Sequence, residues 1–322
     1  MKNYDVSVIL TTYNSTKTIE RAFKSILEQQ TKYPFEIIIV DDGSKDGTIE
    51  IIDQYASIYS NVTSVKQQNS GLSAARNHGM QNAHGKYVMF SDDDDEYDKD
   101  YINNVMNKSH GNKLVVAGIK KVLQNGNIEV ENESILKNAT SNYNLIEKYL
   151  VDNKEMDVGA WNKLYDLQVI RSNKISFVNK KFFEDSLFVL KYLKKINYNE
   201  IGFVEKPEYI IYKRDGSITN SFEPQLEQRC HKYINDVKEI ISVGGKVPNY
   251  FDSFKARIDL YFVHRNILMN NKWTPKEQHN FLKSDLKINY FKFLNKKYAI
   301  ALGIAGFLPN LYIKLYKKQF AK

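Results

Sequence analysis

The sequence predicts an α/β fold, a mostly parallel, doubly wound sheet with flanking helices, followed by a helical region. Three observations carry this. Short apolar runs alternate with helix-spaced segments over the first hundred residues. Those runs are apolar at nearly every position, as expected of strands covered on both faces. Past about residue 220 the strand signals give way to apolar residues three and four apart.

The elements follow in order. Val6-Ser7-Val8-Ile9-Leu10 reads as a strand, and Ile19, Ala22, Phe23, Ile26 and Leu27 mark one face of a helix. Phe35 to Val40 reads as a second buried strand, followed by a helix carrying Ile49, Ile52 and Tyr55. A strand near Val62 to Val65, a helix from Ser73 to Ala83 and a strand from Lys86 to Phe90 complete the first half. Residues 110 to 215 give a mixed signal, with a strand at Leu114 to Ile119 and a helix at Tyr143 to Val151. Residues 225 to 242 and 251 to 283 read as helical. The expected division is 1–220 for the α/β domain and 221–322 for a helical region, with a basic, apolar tail from about 290.

Charge is concentrated at one end. Residues 283 to 322 hold nine lysines against one acid, Asp285, while the whole chain of 322 residues is +8. The rest is close to neutral, which excludes a globally basic nucleic-acid binder. The single cysteine, Cys230, excludes a disulfide framework and a cysteine zinc site and fits a reducing compartment. Met1-Lys2-Asn3-Tyr4-Asp5 leads straight into the first strand, so no secretory leader is expected.

Open parallel sheets bind ligands beyond the carboxyl ends of their strands. Here those ends read Thr11-Thr12-Tyr13-Asn14, Asp41-Asp42-Gly43-Ser44 and Ser91-Asp92-Asp93-Asp94-Asp95, so three polar clusters should share one sheet edge. Four consecutive carboxylates repel one another and need water, bases or a cation to offset them. A calcium loop starting at Asp92 would want Gly and Glu where Tyr97 and Asn103 stand. A phosphatase-type nucleophile would want Thr or Val where Glu96 stands. G-x-G-x-x-G after the first strand and the P-loop pattern are both absent, so phosphate would be handled through a cation, Mn²⁺ or Mg²⁺, held by an Asp-x-Asp pair. A solvated helix cap is the alternative for the run and the better account of Asp98 alone. His78 and His84 lack further ligands at metal spacing, and His231 and His264 lack partners in sequence.

The stretches "VSVILTTYN", "FEIIIVDDGSKDGT", "NSGLSAARNHGM" and "YVMFSDDDDEYDKDYI", then "AWNKLYDLQVI", "FFEDSLFVLKYL" and "YIIYKRDGSIT", resemble in order and spacing the family 2 glycosyltransferases, inverting enzymes of the GT-A fold. The resemblance covers roughly residues 4 to 220. It implies that Thr11, Tyr13 and Asp42, with Asp41 nearby, hold the nucleotide base, and that Arg76 lies near the donor diphosphate. It implies that Asp92 lies near the ribose and that Asp94 binds the metal. Asp95 is typical of the family, and Asp93 replaces a commoner Ser and is grouped with the donor-binding residues. Glu184 and Asp185 correspond to the acidic pair that supplies the general base, Asp185 being the expected base. A helix-start carboxylate is the plain alternative.

By the same resemblance Trp161, Asn162 and Lys163 line the acceptor side, with a Trp packed in the core as the alternative. Arg214, Ser217 and Thr219 sit in a loop similar to one that closes over the diphosphate, or in a plain surface turn. The tail segment "YAIALGIAGFLPNLYI", 298 to 313, is too short and too interrupted for a membrane span. Its flanking lysines and tyrosines suit an interfacial segment on anionic lipid, and two short packed helices are the alternative. The expected protein transfers a sugar from a nucleotide-diphosphate donor, UDP-linked by expectation, to a hydroxyl of a cell-envelope or lipid-linked glycan. It would work in the cytoplasm at the inner face of the membrane. A silent sugar-nucleotide-binding module of the same fold is the rival, and a receiver-type signalling domain would place its paired aspartates after the first strand instead of the second.

Overall fold

The computed structural model describes residues 3–178, 182–213 and 223–320. The chain divides into two compact units, Met1–Ile146 with Asn153–Arg214, and Glu147–Asp152 with Asp215–Lys322.

The first unit is built on one sheet. In chain order the elements up to residue 212, of which the second half of α5 belongs to the other unit, are β1 (Val6–Thr12), α1 (Ile19–Leu27), β2 (Phe35–Asp41), α2 (Thr48–Ile58), β3 (Val62–Lys66), α3 (Leu72–Asn82), β4 (Tyr87–Asp92), β5 (Glu96–Tyr97), α4 (Tyr101–Asn107), β6 (Leu114–Val122), β7 (Ile128–Glu131), α5 (Asn142–Val151), α6 (Glu155–Val158), β8 (Lys163–Asp166), α7 (Leu167–Ser172), α8 (Glu184–Leu193) and β9 (Ile201–Tyr212). Strand order is β3-β2-β1-β4-β8-β6-β9-β5, with β7 on the edge of β6.

The first four strands pair in parallel, as their apolar runs predict; every residue of β1 is buried. The register sets Thr12 beside Asp41 and Thr11 beside Asp92, so the three polar clusters do share one edge. Gly79 brings α3 against the sheet, since a Cβ there would meet Ile9 at 2.4 Å. Beyond β4 the sheet becomes mixed. β8 runs antiparallel to both β4 and β6, whereas β6 and β9 are parallel with an irregularity around Gly118. Four fully buried residues, Lys163 to Asp166, make β8, too few to display a strand period.

The second unit is helical: α9 (Leu226–Ile241), α10 (Phe251–Met269), α11 (Pro275–Leu282), α12 (Ile288–Phe291), α13 (Lys296–Phe307) and α14 (Pro309–Phe320). The expected helix over 251 to 283 is two. Thr274 caps α11 through a reciprocal bond with Glu277, and Pro275 occupies its first turn, so the chain restarts there. The tail segment forms α13 and α14, broken at Leu308–Pro309. One face packs inward: Leu302 and Ala305 are buried, Gln278 Nε2 donates to Ala305 O at 2.8 Å, and Tyr316 stacks on His264 with ring centroids 4.3 Å apart. Ile300, Phe307, Leu308, Leu311 and Leu315 remain exposed. Among the described residues no helix is long and apolar enough to cross a membrane.

Candidate active site

The edge formed by β1, β2 and β4 presents two aspartates with different duties. Asp41 Oδ2 accepts from the backbone N–H of Gly43 (3.1 Å) and Ser44 (3.0 Å), closing the turn in which Gly43 takes φ +80°. Its Oδ1 is buried without a hydrogen-bond partner, as is Thr11 Oγ1 on β1. Both oxygens of Asp42 are engaged, accepting from Gln67 Nε2 (2.7 Å), Ser70 N (2.8 Å) and Gly71 N (2.8 Å). It therefore anchors the turn before α3, while Asp41 keeps one oxygen unsatisfied. Tyr13 is exposed, and its N–H donates to Asp93 Oδ2 at 3.1 Å.

The four aspartates do not form one cage; they diverge to separate partners. Asp92 Oδ1 meets Arg76 Nη2 at 2.7 Å. Asp93 turns back to the end of β1, where the Thr12 and Ser15 hydroxyls join the Tyr13 N–H, and burial raises its pKa. Asp95 accepts from Tyr209 Oη (2.9 Å) and Tyr212 N (3.3 Å); burial, then the charge of Asp92, pushes it up to about 8. Asp94 is half-buried, and Arg21 Nη2 donates to its backbone carbonyl at 2.6 Å. Division of labour thus offsets the repulsion within the run.

Arg76 joins the two halves of the site. It is buried on α3 over the ring of Phe177, and its second terminal nitrogen, Nη1, meets Asp185 Oδ1 at 2.5 Å. Both carboxylates and Glu184 hold it in the charged form against burial. Asp185 and Glu184 open α8, where a helix N-terminus favours negative charge. The other oxygen of Asp185 accepts from Ala160 N at 3.1 Å. Burial, then Asp185, pushes Glu184 up to about 7.

Trp161 is buried and stacked on Tyr209 with centroids 4.7 Å apart. Asn162 and Lys163, expected to line the acceptor side, have no exposed surface. Asn162 Nδ2 donates to Ala117 O and Met156 O, and Lys163 Nζ to Met156 O, Gly159 O and Asn162 Oδ1, so both support the site from behind. Arg214, Ser217 and Thr219 lie outside the described residues. Tyr209, which bonds Asp95 and accepts from Asp92 N at 3.3 Å, and the Ala160 N–H are site groups that sequence reasoning missed. Only a strand-like tyrosine and a backbone donor mark them, neither with a spacing to read.

Residues 7–173 match the model of Glycosyl transferase family 2. A cholesterol galactosyltransferase of Borreliella burgdorferi is 32% identical over 230 residues, 68% of this chain and 63% of that protein, so the chain spans less than two thirds of this relative. The poly(ribitol-phosphate) beta-N-acetylglucosaminyltransferase TarP of Staphylococcus aureus is 26% identical over 90% of this chain and 88% of its own. Among solved structures, residues 1–349 of S. aureus TarS with UDP-GlcNAc align at TM-score 0.64 and 22% identity over 97% of this chain and 89% of that one. A Pyrobaculum calidifontis mannosyltransferase with GDP-Man and Mn²⁺ aligns at TM-score 0.53 and 16% identity, covering 100% and 88%. These structures share the GT-A fold. With more than half of the sequence matched and the strand-end acids on the sheet edge that the motifs imply, the chain belongs to glycosyl transferase family 2.

Proposed function

We propose that the protein is an inverting, metal-dependent glycosyltransferase that moves a sugar from a nucleotide-diphosphate donor, UDP-linked, to a hydroxyl of a cell-envelope or lipid-linked glycan. One observation carries the reading: Arg76 grips Asp92, at the strand end, and Asp185, at the start of α8, in a single array. Asp185 accepts the acceptor proton, the acceptor oxygen bonds to the anomeric carbon, and the bond to the diphosphate oxygen breaks on the opposite face. Glu184 adds a second negative charge beside Asp185 once it ionises. Asp41 Oδ1, buried and unmatched at the end of β2, suits the N–H of a base.

The metal requirement fits a shared site. Among the described residues no three His, Cys, Asp or Glu side chains are arranged to hold an ion. A Mg²⁺-type ion needs only one or two carboxylates plus substrate phosphates, and Asp94, the last acid of the Asp92-x-Asp94 pair at the end of β4, would hold it. When bound, such a cation offsets charge on the leaving diphosphate. The Mn²⁺ in the Pyrobaculum neighbour supports this reading.

The envelope acceptor rests on relatives such as TarP and on the tail, where exposed Phe307, Leu308, Leu311 and Leu315 adjoin Lys314, Lys317 and Lys318. Such a surface suits the inner, anionic face of a membrane. Sedimentation with phosphatidylglycerol vesicles should carry the protein down at low salt, and failure to bind removes this part. For the chemistry, Asp185→Asn should lower nucleoside diphosphate release from a UDP-sugar about 10³-fold while donor binding persists. Unchanged turnover would rule out Asp185 as the base.

A further inference from the structure

Lys163 raises a question that its burial sharpens: an ammonium with no exposed surface is expensive to bury, yet its three protons go to neutral oxygens. They reach Met156 O at 2.7 Å, Gly159 O at 2.5 Å and Asn162 Oδ1 at 2.8 Å. Burial pulls the group down to about 7, and the charges of Asp157 and Asp185 oppose that.

The Gly159 carbonyl and the Ala160 N–H are the two ends of one planar peptide unit. Its carbonyl takes the Lys163 ammonium, and its N–H donates to Asp185 Oδ2 at 3.1 Å. The dipole is therefore aligned between a cation and an anion, the arrangement in which linked hydrogen bonds strengthen one another. The peptide is also braced sterically. The Trp161 ring lies against Gly159 so closely that a Cβ would fall 2.4 Å from it. Asn162, fixed by its own bonds to Ala117 O and Met156 O, holds its oxygen toward Lys163. Asp185 is thus clamped from two sides, by Arg76 on Oδ1 and by this peptide on Oδ2.

We propose that Lys163 is a positioning residue for glycosyl transfer, holding the Gly159–Ala160 peptide so that its N–H orients Asp185 toward the acceptor hydroxyl. The inference rests on the reading of Asp185 as the base. It makes the buried lysine part of the chemistry without any contact to substrate.

The test uses the full chain, with UDP release from the best of a panel of UDP-sugars and UDP-induced thermal shift as the two readouts. Lys163→Met should lower kcat about 30-fold or more, with donor KM within about threefold and the UDP shift retained. Lys163→Gln keeps two N–H donors and should recover part of the loss. A purely structural role would instead weaken donor binding and kcat together. Ala160→Pro removes the N–H that reaches Asp185 and adds ring carbons at a buried position; Gly159, at ψ 139°, already has the extended backbone required before proline. The same loss of kcat is expected there, and this variant decides the matter if Lys163→Met does not fold. Native kcat in the folded variants overturns the inference. If Asp185→Asn abolishes turnover while these variants do not, the positioning role alone fails. If Asp185→Asn leaves turnover intact, the base reading fails and takes the inference with it.

Discussion

The two units each hold a cation between two carboxylates, and the contrast between these triads separates a site from a brace. In the first unit Arg76 pairs with Asp92 and Asp185, whose side chains are 26% and 21% exposed. In the second, Lys255 pairs with Asp259 at 2.5 Å and Asp285 at 2.7 Å, whose side chains are 2% and 0% exposed. Burial, then the adjacent Asp285, pushes Asp259 up to about 7. Asp259 Oδ1 and Asp285 Oδ2 are buried without a hydrogen-bond partner. Composition is nearly the same in both triads. What differs is access: the first keeps two carboxylates partly open to solvent around a buried cation, and the second closes both carboxylates into helix packing beneath a partly exposed lysine.

The largest way to break this comparison lies in the closed triad. Lys255→Met leaves two carboxyls buried without their cation and should cost about 3–5 kcal/mol of stability, read by urea denaturation. Turnover per folded molecule should stay at the native value. A loss of turnover without a loss of stability would show that the second triad is not a brace.

A smaller effect sharpens the open triad. Glu184, held up at about 7, is neutral below that pH and charged above it, and its charge favours proton acceptance by Asp185. Turnover should therefore rise through about pH 7, and Glu184→Gln should remove that rise and cost about tenfold at pH 8. A pH profile identical in wild type and Glu184→Gln would take Glu184 out of the account.

The same contrast explains what the sequence could tell. The strands of the parallel half were legible because burial on both faces writes a continuous apolar run, and their carboxyl ends located Thr11, Asp41 and Asp92 correctly on one edge. β8 was illegible because four residues carry no period, and its antiparallel entry makes the second half of the sheet mixed. Residue identity also said nothing of direction. Adjacent Asp41 and Asp42 look interchangeable, yet only Asp42 has both oxygens bonded to the segment between β3 and α3. Likewise the Asp run reads as one cation trap, whereas three of its members face Arg76, Tyr13 and Tyr209. The break at Asn270–Thr274 did have a written signal, Thr274-Pro275 with Glu277, which the apolar spacing across 251 to 283 obscured.

The central claim is that the open triad and the strand-end acids form a nucleotide-sugar site completed by a metal. The most direct test is the melting temperature of the purified protein against nucleotide diphosphates and nucleotide sugars, each with Mn²⁺ and with EDTA. The account predicts a stabilising shift with UDP-type ligands that depends on Mn²⁺ and is lost in Asp94→Asn. The absence of a shift with any nucleotide, in protein that melts cooperatively, would contradict it.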